Sequence, residues 1–438
     1  MSTLGILGII FALVLIIYMA TKGYSILIIG PLCALLIILS NNMDILDALM
    51  FNTTTSFMWS MAGFIAKFFP IFILGALLGK YMEDSGAAYV IAQRLLDKDS
   101  SNSAWKVLVS ITIVGVILTF GGISAFVVLF AVVSLARPLF REINIPWHLI
   151  MIPLVLGSAS FTMTMLPGCP SVQNIIPSTI LGTPLTAAPL LGIFASVVFI
   201  VLAAWYMKRE LKKAQANNET YTVSKADEVT YSKDNLPSLF KSVFPIVLVI
   251  AILLPCSFMR IPNIVYIALP LGIIVSMIIF HKHIKSHIAT LNAGAQNALI
   301  PAIFTGAAVG FGIVVTSAPG FQVFTDMLTG IENPMVGLAA MTYVFTGVTG
   351  SGSGALGIVL QSFGPHFLEM GLSADAVHRI AAIACTPLCG VPFGGGVLNL
   401  LAITGLTHKD AYRHIFIISI ILGTITLIAS LFFAMLIY

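Results

Sequence analysis

Charged side chains are scarce in this sequence, because Asp, Glu, Lys and Arg together make up only 9% of its 438 residues. Soluble domains carry about 25% charged residues, so a water-soluble globule is excluded. Disordered chains and coiled coils need even more polar residues and are excluded too. The net charge of +4 is too small and too scattered to bind nucleic acid. Since 58% of the residues are hydrophobic, we predict an all-α polytopic membrane protein.

Cysteines and catalytic motifs are also few. The five cysteines form an odd set without C-x-x-C spacing, which argues against a disulfide framework and against a zinc site. The chain has neither a Walker A Gly-Lys-Ser/Thr nor an HExxH pattern, so the residues for ATP hydrolysis and zinc proteolysis are missing. We therefore expect no metal, no cofactor and no enzymatic activity, and an ion gradient as the energy source for transport.

Acidic residues are missing from the apolar runs. All 17 Asp and Glu fall in loops or at the ends of predicted spans, so no mid-membrane carboxylate offers itself as a proton carrier. His148 and His378 are the best candidates for ion coupling, because each precedes an interrupted span and histidine titrates near neutral pH. The alternative interpretation of both is an interfacial polar residue at the start of a helix.

A single polar linker divides the apolar runs into two similar halves. We predict a first repeat over 1–207, a linker over 208–240 and a second repeat over 241–438. The segment Pro-Ile-Phe-Ile-Leu-Gly-Ala that begins at Pro70 resembles Pro-Ala-Ile-Phe-Thr-Gly-Ala, which begins at Pro301. Further matches follow in the same order, among them the asparagines 174 and 399. Together these matches indicate an internal duplication.

The number of spans sets the relative orientation of the two repeats. Each repeat has about five spans plus one re-entrant hairpin, which is an odd number of crossings, so the second repeat must be inverted. With the linker in the cytoplasm, eighteen of the 21 Lys and Arg fall inside, as the positive-inside rule requires, and both termini fall outside. Only Arg260 and Arg379 are placed outside, and Lys67 falls within a span.

Four interruptions of the apolar runs form the candidate substrate site. Two are Gly/Ser tips of hairpins and two are Pro/Gly breaks within spans. Paired breaks in both repeats favour a transport site over simple kinks, because backbone at membrane depth must find internal partners. Freed amides at helix N-termini suit an anion, and freed carbonyls suit a cation. The predicted substrate-binding residues are Gly121, Gly122, Ser124, Thr162, Gly168, Ser171, Asn174, Thr349, Gly350, Ser351, Gly352, Ser353, Gly394, Gly395 and Asn399.

Three strings of this sequence resemble the bacterial gluconate permease family. They are GALLGKYMEDSGAA over 75–88, HRIA over 378–381 and LAITGLTHKD over 401–410, and the resemblance runs through both repeats. It implies an ion-coupled transporter with inverted repeats, re-entrant hairpins and a homodimeric assembly. It also implies import of gluconate and related hydroxy acids, generally together with protons.

The two breaks differ from the usual pattern of that family. Family members typically have a His-containing, Pro-rich string in the first break, where this sequence reads LPGCPSVQN over 166–174. The second break commonly reads Leu-Pro-His-Asn-Gly, and here VPFGG over 391–395 lacks both the His and the Asn. The first string is similar to a branch of short hydroxy-acid, hydroxybutyrate-type permeases. The less polar site favours a smaller or more apolar acid.

The sequence therefore predicts a secondary active transporter of the bacterial inner membrane. We expect proton-coupled symport of a small organic anion into the cell, either gluconate-like or a short hydroxy monocarboxylate. A sodium-coupled carboxylate symporter is one alternative, since the breaks offer neutral oxygens and no buried acid. An anion channel, in which the breaks would form a filter, is the other.

Overall fold

The computed structural model describes residues 3–50, 54–87, 90–91, 103–120, 125–169, 171–222, 235–258 and 264–438. Throughout these residues the regular secondary structure is helical and no strand is present. The prediction of an all-α protein is thus confirmed.

The first half contains long helices together with several short ones. In chain order they are α1 (Thr3–Thr21), α2 (Ile26–Ser40), α3 (Ile45–Leu49), α4 (Phe57–Asp84), α5 (Ser103–Phe120), α6 (Ala125–Glu142), a 3₁₀ turn (Trp147–Ile150), α7 (Met151–Ser158), α8 (Phe161–Thr164), α9 (Val172–Leu181) and α10 (Pro189–Ala216).

The second half likewise contains long, short and interrupted helices. They are α11 (Leu239–Phe258), α12 (Val265–Ile279), α13 (His287–Ser317), a 3₁₀ turn (Pro319–Phe321), α14 (Gln322–Thr329), α15 (Pro334–Thr349), α16 (Gly352–Glu369), α17 (Ala374–Ala384), a 3₁₀ turn (Pro387–Gly390), α18 (Gly395–Thr404), α19 (His408–Ile415), a π-helical segment (Phe416–Leu422) and α20 (Gly423–Ile437).

Several of these helices suit a bilayer. Among the described residues, five helical segments are long and apolar enough to cross a membrane, or seven if each of two bent pairs counts as one span. One of these pairs is α4, bent by 41° near Pro70, and the other runs from α17 through α18, bent by 53°. Large apolar side chains such as Leu4, Leu190 and Phe432 point outward from the spanning helices, as expected of a lipid-facing surface. The polytopic membrane architecture predicted from composition is confirmed.

The helices of the two halves make corresponding contacts. In the first half α5 packs on α6 and on α7, and in the second half α15 packs on α16 and on α17. The halves also interlock, because α6 contacts α18 of the other half while α16 contacts α9. As a result, the second leg of each helical hairpin lies against the half-helix that follows the break in the opposite repeat.

The centre of the molecule is the long pair α4 and α13. Glycines allow their backbones to approach closely: a Cβ at Gly310 would lie 2.7 Å from the carbonyl oxygen of Phe57, and one at Gly306 would lie 3.2 Å from that of Met61. The pair in turn supports α18, because a Cβ at Gly395 would lie 2.5 Å from the Thr305 side chain of α13. Close packing of α13 thus fixes the position of the second break.

The last helix of the first half, α10, continues to Ala216 and so includes the first residues of the linker predicted over 208–240. The chain then folds back on the first repeat. The backbone amide of Tyr221 donates to the side chain of Asn144 over 3.0 Å, and the Tyr221 ring meets Trp147 edge-on at 6.1 Å. Residues 223–234 of the predicted linker lie outside the described residues.

Candidate functional site

The first break separates α8 from α9, and side chains from α9 bind its freed carbonyls. Ser171 is the N-cap of α9: its hydroxyl accepts from the Asn174 amide and donates to the carbonyl oxygen of Met163. The Asn174 side chain donates to the carbonyl oxygens of Cys169 over 3.0 Å and Met163 over 3.3 Å. Ser171 and Asn174 therefore hold the break in a fixed shape.

A helix from the other half completes this break. His378 of α17 is fully buried, with its Nδ1 2.7 Å from the Thr183 hydroxyl and its Nε2 3.4 Å from Asn174 Oδ1. A neutral imidazole with its proton on Nε2 satisfies both contacts, an assignment made from the hydrogen-bond network. Its neighbour Arg379 is fully buried as well and donates to Asn174 Oδ1 over 2.9 Å. A second positive charge on His378 would be repelled by the Arg379 guanidinium.

The second break separates the 3₁₀ turn Pro387–Gly390 from α18, and its freed carbonyls also have side-chain partners. Tyr412 donates from its hydroxyl to the carbonyl oxygen of Gly390 over 2.9 Å, and His408 Nε2 lies 2.7 Å from that of Pro392. Both side chains come from α19, one turn apart. The freed carbonyls of this break are thus occupied by protein donors, as they are in the first break.

The tip of the second hairpin packs directly on the second break. Gly350 has a left-handed backbone with φ of 60°, and a Cβ there would lie 2.9 Å from the Cα of Gly394. Thr349 stabilises the turn, since its hydroxyl donates to the carbonyl oxygen of Ser351 over 3.1 Å. Ser351 then caps α16 by accepting from the Gly354 amide over 3.2 Å. This contact brings the N-terminus of α16 beside the N-terminus of α18.

Amide donors at these two N-termini are free. Gly394 has no side chain to cap α18, and among the described residues no acceptor lies at the amides of Gly395, Gly396 or Val397. At the start of α16 the Ser353 amide has no acceptor within the described part of the chain either. Both Gly354 and Gly396 are exposed, so the region is accessible from outside the protein interior. Two positive dipole ends with free amides are suited to bind an anion.

The two breaks are connected to each other. The hydroxyls of Thr164, at the end of α8, and Thr386, before the second break, lie 2.6 Å apart, and both residues are buried. On the other side, α16 leads from the hairpin tip to α9 of the first break. The breaks of the two halves therefore form one connected region, as a shared site requires.

Asn399 of α18 differs sharply from Asn174. It is fully buried, yet neither its Oδ1 nor its Nδ2 has a hydrogen-bond partner among the described residues. Gly395 and Ile403, one turn before and one turn after it, both contact α13 or the apolar cluster beside it. Because residues four apart share a helix face, Asn399 also lies on the face of α18 toward α13. An unsatisfied buried amide is costly, so this side chain is a candidate for binding a ligand.

Other predicted site residues lie elsewhere or outside the description. Gly121, Gly122 and Ser124, the tip of the first hairpin, lie outside the described residues. Thr162 is buried and donates to the carbonyl oxygen of Gly157 over 3.1 Å within its own segment. Of the remaining residues, Gly168 lies in the first break with φ of 84°, and Gly352 and Ser353 begin α16.

The two candidate coupling histidines are not in one site. His148 lies at the entry to α7, where its ring stacks on His414 with centroids 5.3 Å apart and its Nε2 lies 3.5 Å from Glu219. His414 in turn hydrogen-bonds through Nδ1 to the hydroxyl of Tyr206 over 2.9 Å. His148 thus belongs to a polar cluster beside the start of the linker, whereas His378 belongs to the first break.

Arg379 is the main residue that sequence reasoning missed. The positive-inside count places it on the outer side, and the structure shows a side chain that is 0% exposed and bound to the first break. The available signal was its position next to His378, within an apolar segment that itself precedes a break. His408 and Tyr412 were missed too, although their spacing of four on a polar helix places them on one face.

Comparisons with known proteins agree with this architecture. The sequence model of the GntP family permeases matches residues 2–266, more than half of the chain. An uncharacterized transporter of Bacillus subtilis (strain 168) is 33% identical, covering 94% of this chain and 95% of its own length. A gluconate permease of Bacillus licheniformis is 27% identical over 44% of this chain and 42% of its own.

A gluconate permease of Bacillus subtilis (strain 168) is 29% identical over 42% of this chain and 40% of its own length. The family model and the near full-length relative both agree with a membrane transporter. The chain is therefore a multi-pass membrane transporter that belongs to the GntP permease family.

Proposed function

We propose that the protein is a proton-coupled symporter that brings a small hydroxy monocarboxylate into a bacterial cell across the inner membrane. One observation carries the substrate part of the proposal: the N-termini of α16 and α18 meet at the second break and have free amide donors. The gluconate permeases among its relatives support the same class of substrate. A homodimer, implied by the family resemblance, is part of the proposal.

The carboxylate of the substrate is placed between Ser353 and Gly395. Burying an unpaired charge costs several kcal/mol, by order of magnitude, so the site must compensate for it. Each helix N-terminus stabilises a partly buried anion by up to about 2 kcal/mol, and direct amide hydrogen bonds add to this. Asn399, buried and unsatisfied, is the side chain we assign to a hydroxyl group of the substrate.

A proton is preferred over sodium as the coupling ion because the freed carbonyls are already occupied. In the first break they accept from Ser171, Asn174 and Arg379, and in the second from His408 and Tyr412. Sodium would need those oxygens, and the Arg379 guanidinium repels a second cation. His378 is neutral in this network, so the proton either travels with the substrate or uses a group outside this break.

The transport proposal is tested with purified protein in proteoliposomes. An imposed gradient with acid outside should drive accumulation of labelled gluconate or 3-hydroxybutyrate above its external concentration, with sodium replaced by choline throughout. A strict sodium requirement at every pH would favour the sodium symporter. Equilibration without accumulation, and without saturation, would favour the channel.

The anion site is tested with a matched pair of substitutions at Ser353. Ser353→Asp puts a carboxylate at the N-terminus of α16, which stabilises the helix but competes with the carboxylate of the substrate. We expect the Asp variant to unfold at the wild-type temperature or above it and to lose uptake. The neutral variant Ser353→Asn should keep uptake. Equal uptake by the Asp and Asn variants would place the anion elsewhere.

A further inference from the structure

Arg379 has an unusual environment for a buried cation. Its side chain is 0% exposed, and it forms no ion pair with a carboxylate in the described chain. Arginine is rarely fully buried without such a partner. Its partners are instead five neutral oxygens, the carbonyls of Thr164, Met165, Leu185 and Ala187 and the Oδ1 of Asn174.

These five oxygens form a cage at the first break. The guanidinium reaches Asn174 Oδ1 at 2.9 Å, the carbonyls of Leu185 and Ala187 at 3.0 Å each, and that of Thr164 at 3.2 Å. Thr164 ends α8, so its carbonyl is one that the break frees from helical hydrogen bonding. A ring of carbonyl and amide oxygens is the ligand set that hard cations prefer. The cage thus has the chemistry of a cation site, filled by a side chain from the opposite half.

We infer that Arg379 is a built-in cation that occupies the carbonyl cage of the first break in place of a soluble ion. It acts as a positioning residue: through Asn174 it fixes the shape of the break, and it supplies a permanent positive charge to the site. Along α17 the backbone of Arg379 lies about 9 Å of helical rise from the C-cap Cys385, whose sulfur borders Gly352 of the proposed anion site.

The uptake measurement below rests on the proposed transport function, whereas the binding of ethylguanidinium, read from the unfolding temperature, does not. Arg379→Ala empties the cage, and ethylguanidinium replaces the atoms that the substitution removes. We expect Arg379→Ala to reduce gluconate uptake about tenfold or more, because the cage oxygens lose their buried partner. Millimolar ethylguanidinium should partly restore this uptake and raise the unfolding temperature of the variant saturably, with no such rise for the wild type.

Two further variants separate charge from packing. Arg379→Lys keeps the charge without the planar fork and should retain partial uptake, whereas Arg379→Gln should lose it. These two variants also decide the question if Arg379→Ala does not fold. Arg413→Ala is the control for unspecific effects of ethylguanidinium, because the Arg413 side chain is 57% exposed and its partner Glu210 lies outside the first break.

Wild-type uptake by Arg379→Ala without added cation would overturn the inference. The inference would also be overturned if ethylguanidinium left the unfolding temperature of Arg379→Ala unchanged and the Lys and Gln variants lost uptake equally. If the wild type itself transports no organic acid while ethylguanidinium still stabilises Arg379→Ala, the proposed function fails and the cation cage stands.

Discussion

At the scale of single residues, Asn174 and Asn399 have the same side chain and the same complete burial but opposite hydrogen bonding. Asn174 contacts oxygens of Met163 and Cys169 as well as Arg379, whereas Asn399 has no partner for either side-chain atom in the part of the chain that the structure describes. A buried polar group without a partner costs about 1–3 kcal/mol, and breaking a satisfied network costs a similar amount. Replacing the two residues should therefore change stability in opposite directions.

We predict that Asn399→Leu raises the unfolding temperature and Asn174→Leu lowers it, each by an effect of about 1–3 kcal/mol. Both variants should lose gluconate uptake, Asn399→Leu through a lost substrate contact and Asn174→Leu through a distorted break. Thermal unfolding of the purified proteins, measured beside uptake, separates the two causes. A lower unfolding temperature for Asn399→Leu would show that the Asn399 amide does not destabilise the protein. Normal uptake by this variant would show that Asn399 does not bind the substrate.

At the scale of helices, the proposed site depends most on the packing of the second hairpin tip against the second break. Gly350 needs a left-handed backbone and lies against Gly394 with no room for a methyl group. Gly357 lies in the following helix, α16, with open space where its Cβ would be. The two glycines thus form a matched pair, one required by geometry and one not.

We predict that Gly350→Ala abolishes uptake and lowers the unfolding temperature. The left-handed conformation alone costs a non-glycine residue about 1–2 kcal/mol, and the contact with Gly394 adds to it. Gly357→Ala should keep uptake and gain up to about 1 kcal/mol in stability from its better helix propensity. Normal uptake by Gly350→Ala would mean that the hairpin tip is not seated tightly on the break.

The ends of these helices were predictable from sequence, whereas their partners were not. Gly350 ends α15 and Gly395 begins α18 where glycine interrupts an apolar run, because glycine and proline act locally. The contacts of Arg379 with the first break join residues about 200 positions apart, and these follow only from tertiary packing. No local pattern in the sequence contains that information.

Residue matching between the repeats was also less accurate than helix matching. The half-helices α9 and α18 each have 10 residues and end at a left-handed glycine, Gly182 and Gly405. Counted from the first residue of each helix, Asn174 is the third residue and Asn399 the fifth. The two asparagines therefore face different neighbours, which explains why one is satisfied and the other is not.

At the scale of the whole molecule, the distribution of basic residues still argues for the predicted topology. Between Lys285 and Lys409 the sequence contains no Lys and a single Arg, Arg379. Since Arg379 is buried within the protein, it counts for neither side of the membrane. The long segment that includes α14 and the second hairpin thus has no exposed Lys or Arg, which is typical of a segment facing outward.

We predict that the linker side of the molecule faces the cytoplasm and that α14 faces outward. Single cysteines at Lys212 and Lys282, both exposed, should react with a membrane-impermeant maleimide only after the cells are opened. A cysteine at Met327 in α14, which is 70% exposed, or at Leu46 in α3, which is 62% exposed, should react in intact cells. The native cysteines are buried or half-buried, and the parent protein is the labelling control. Labelling of Lys212→Cys in intact cells would show that the protein has the opposite orientation in the membrane. Labelling of both Lys212→Cys and Met327→Cys from the same side would contradict the inverted arrangement of the two repeats.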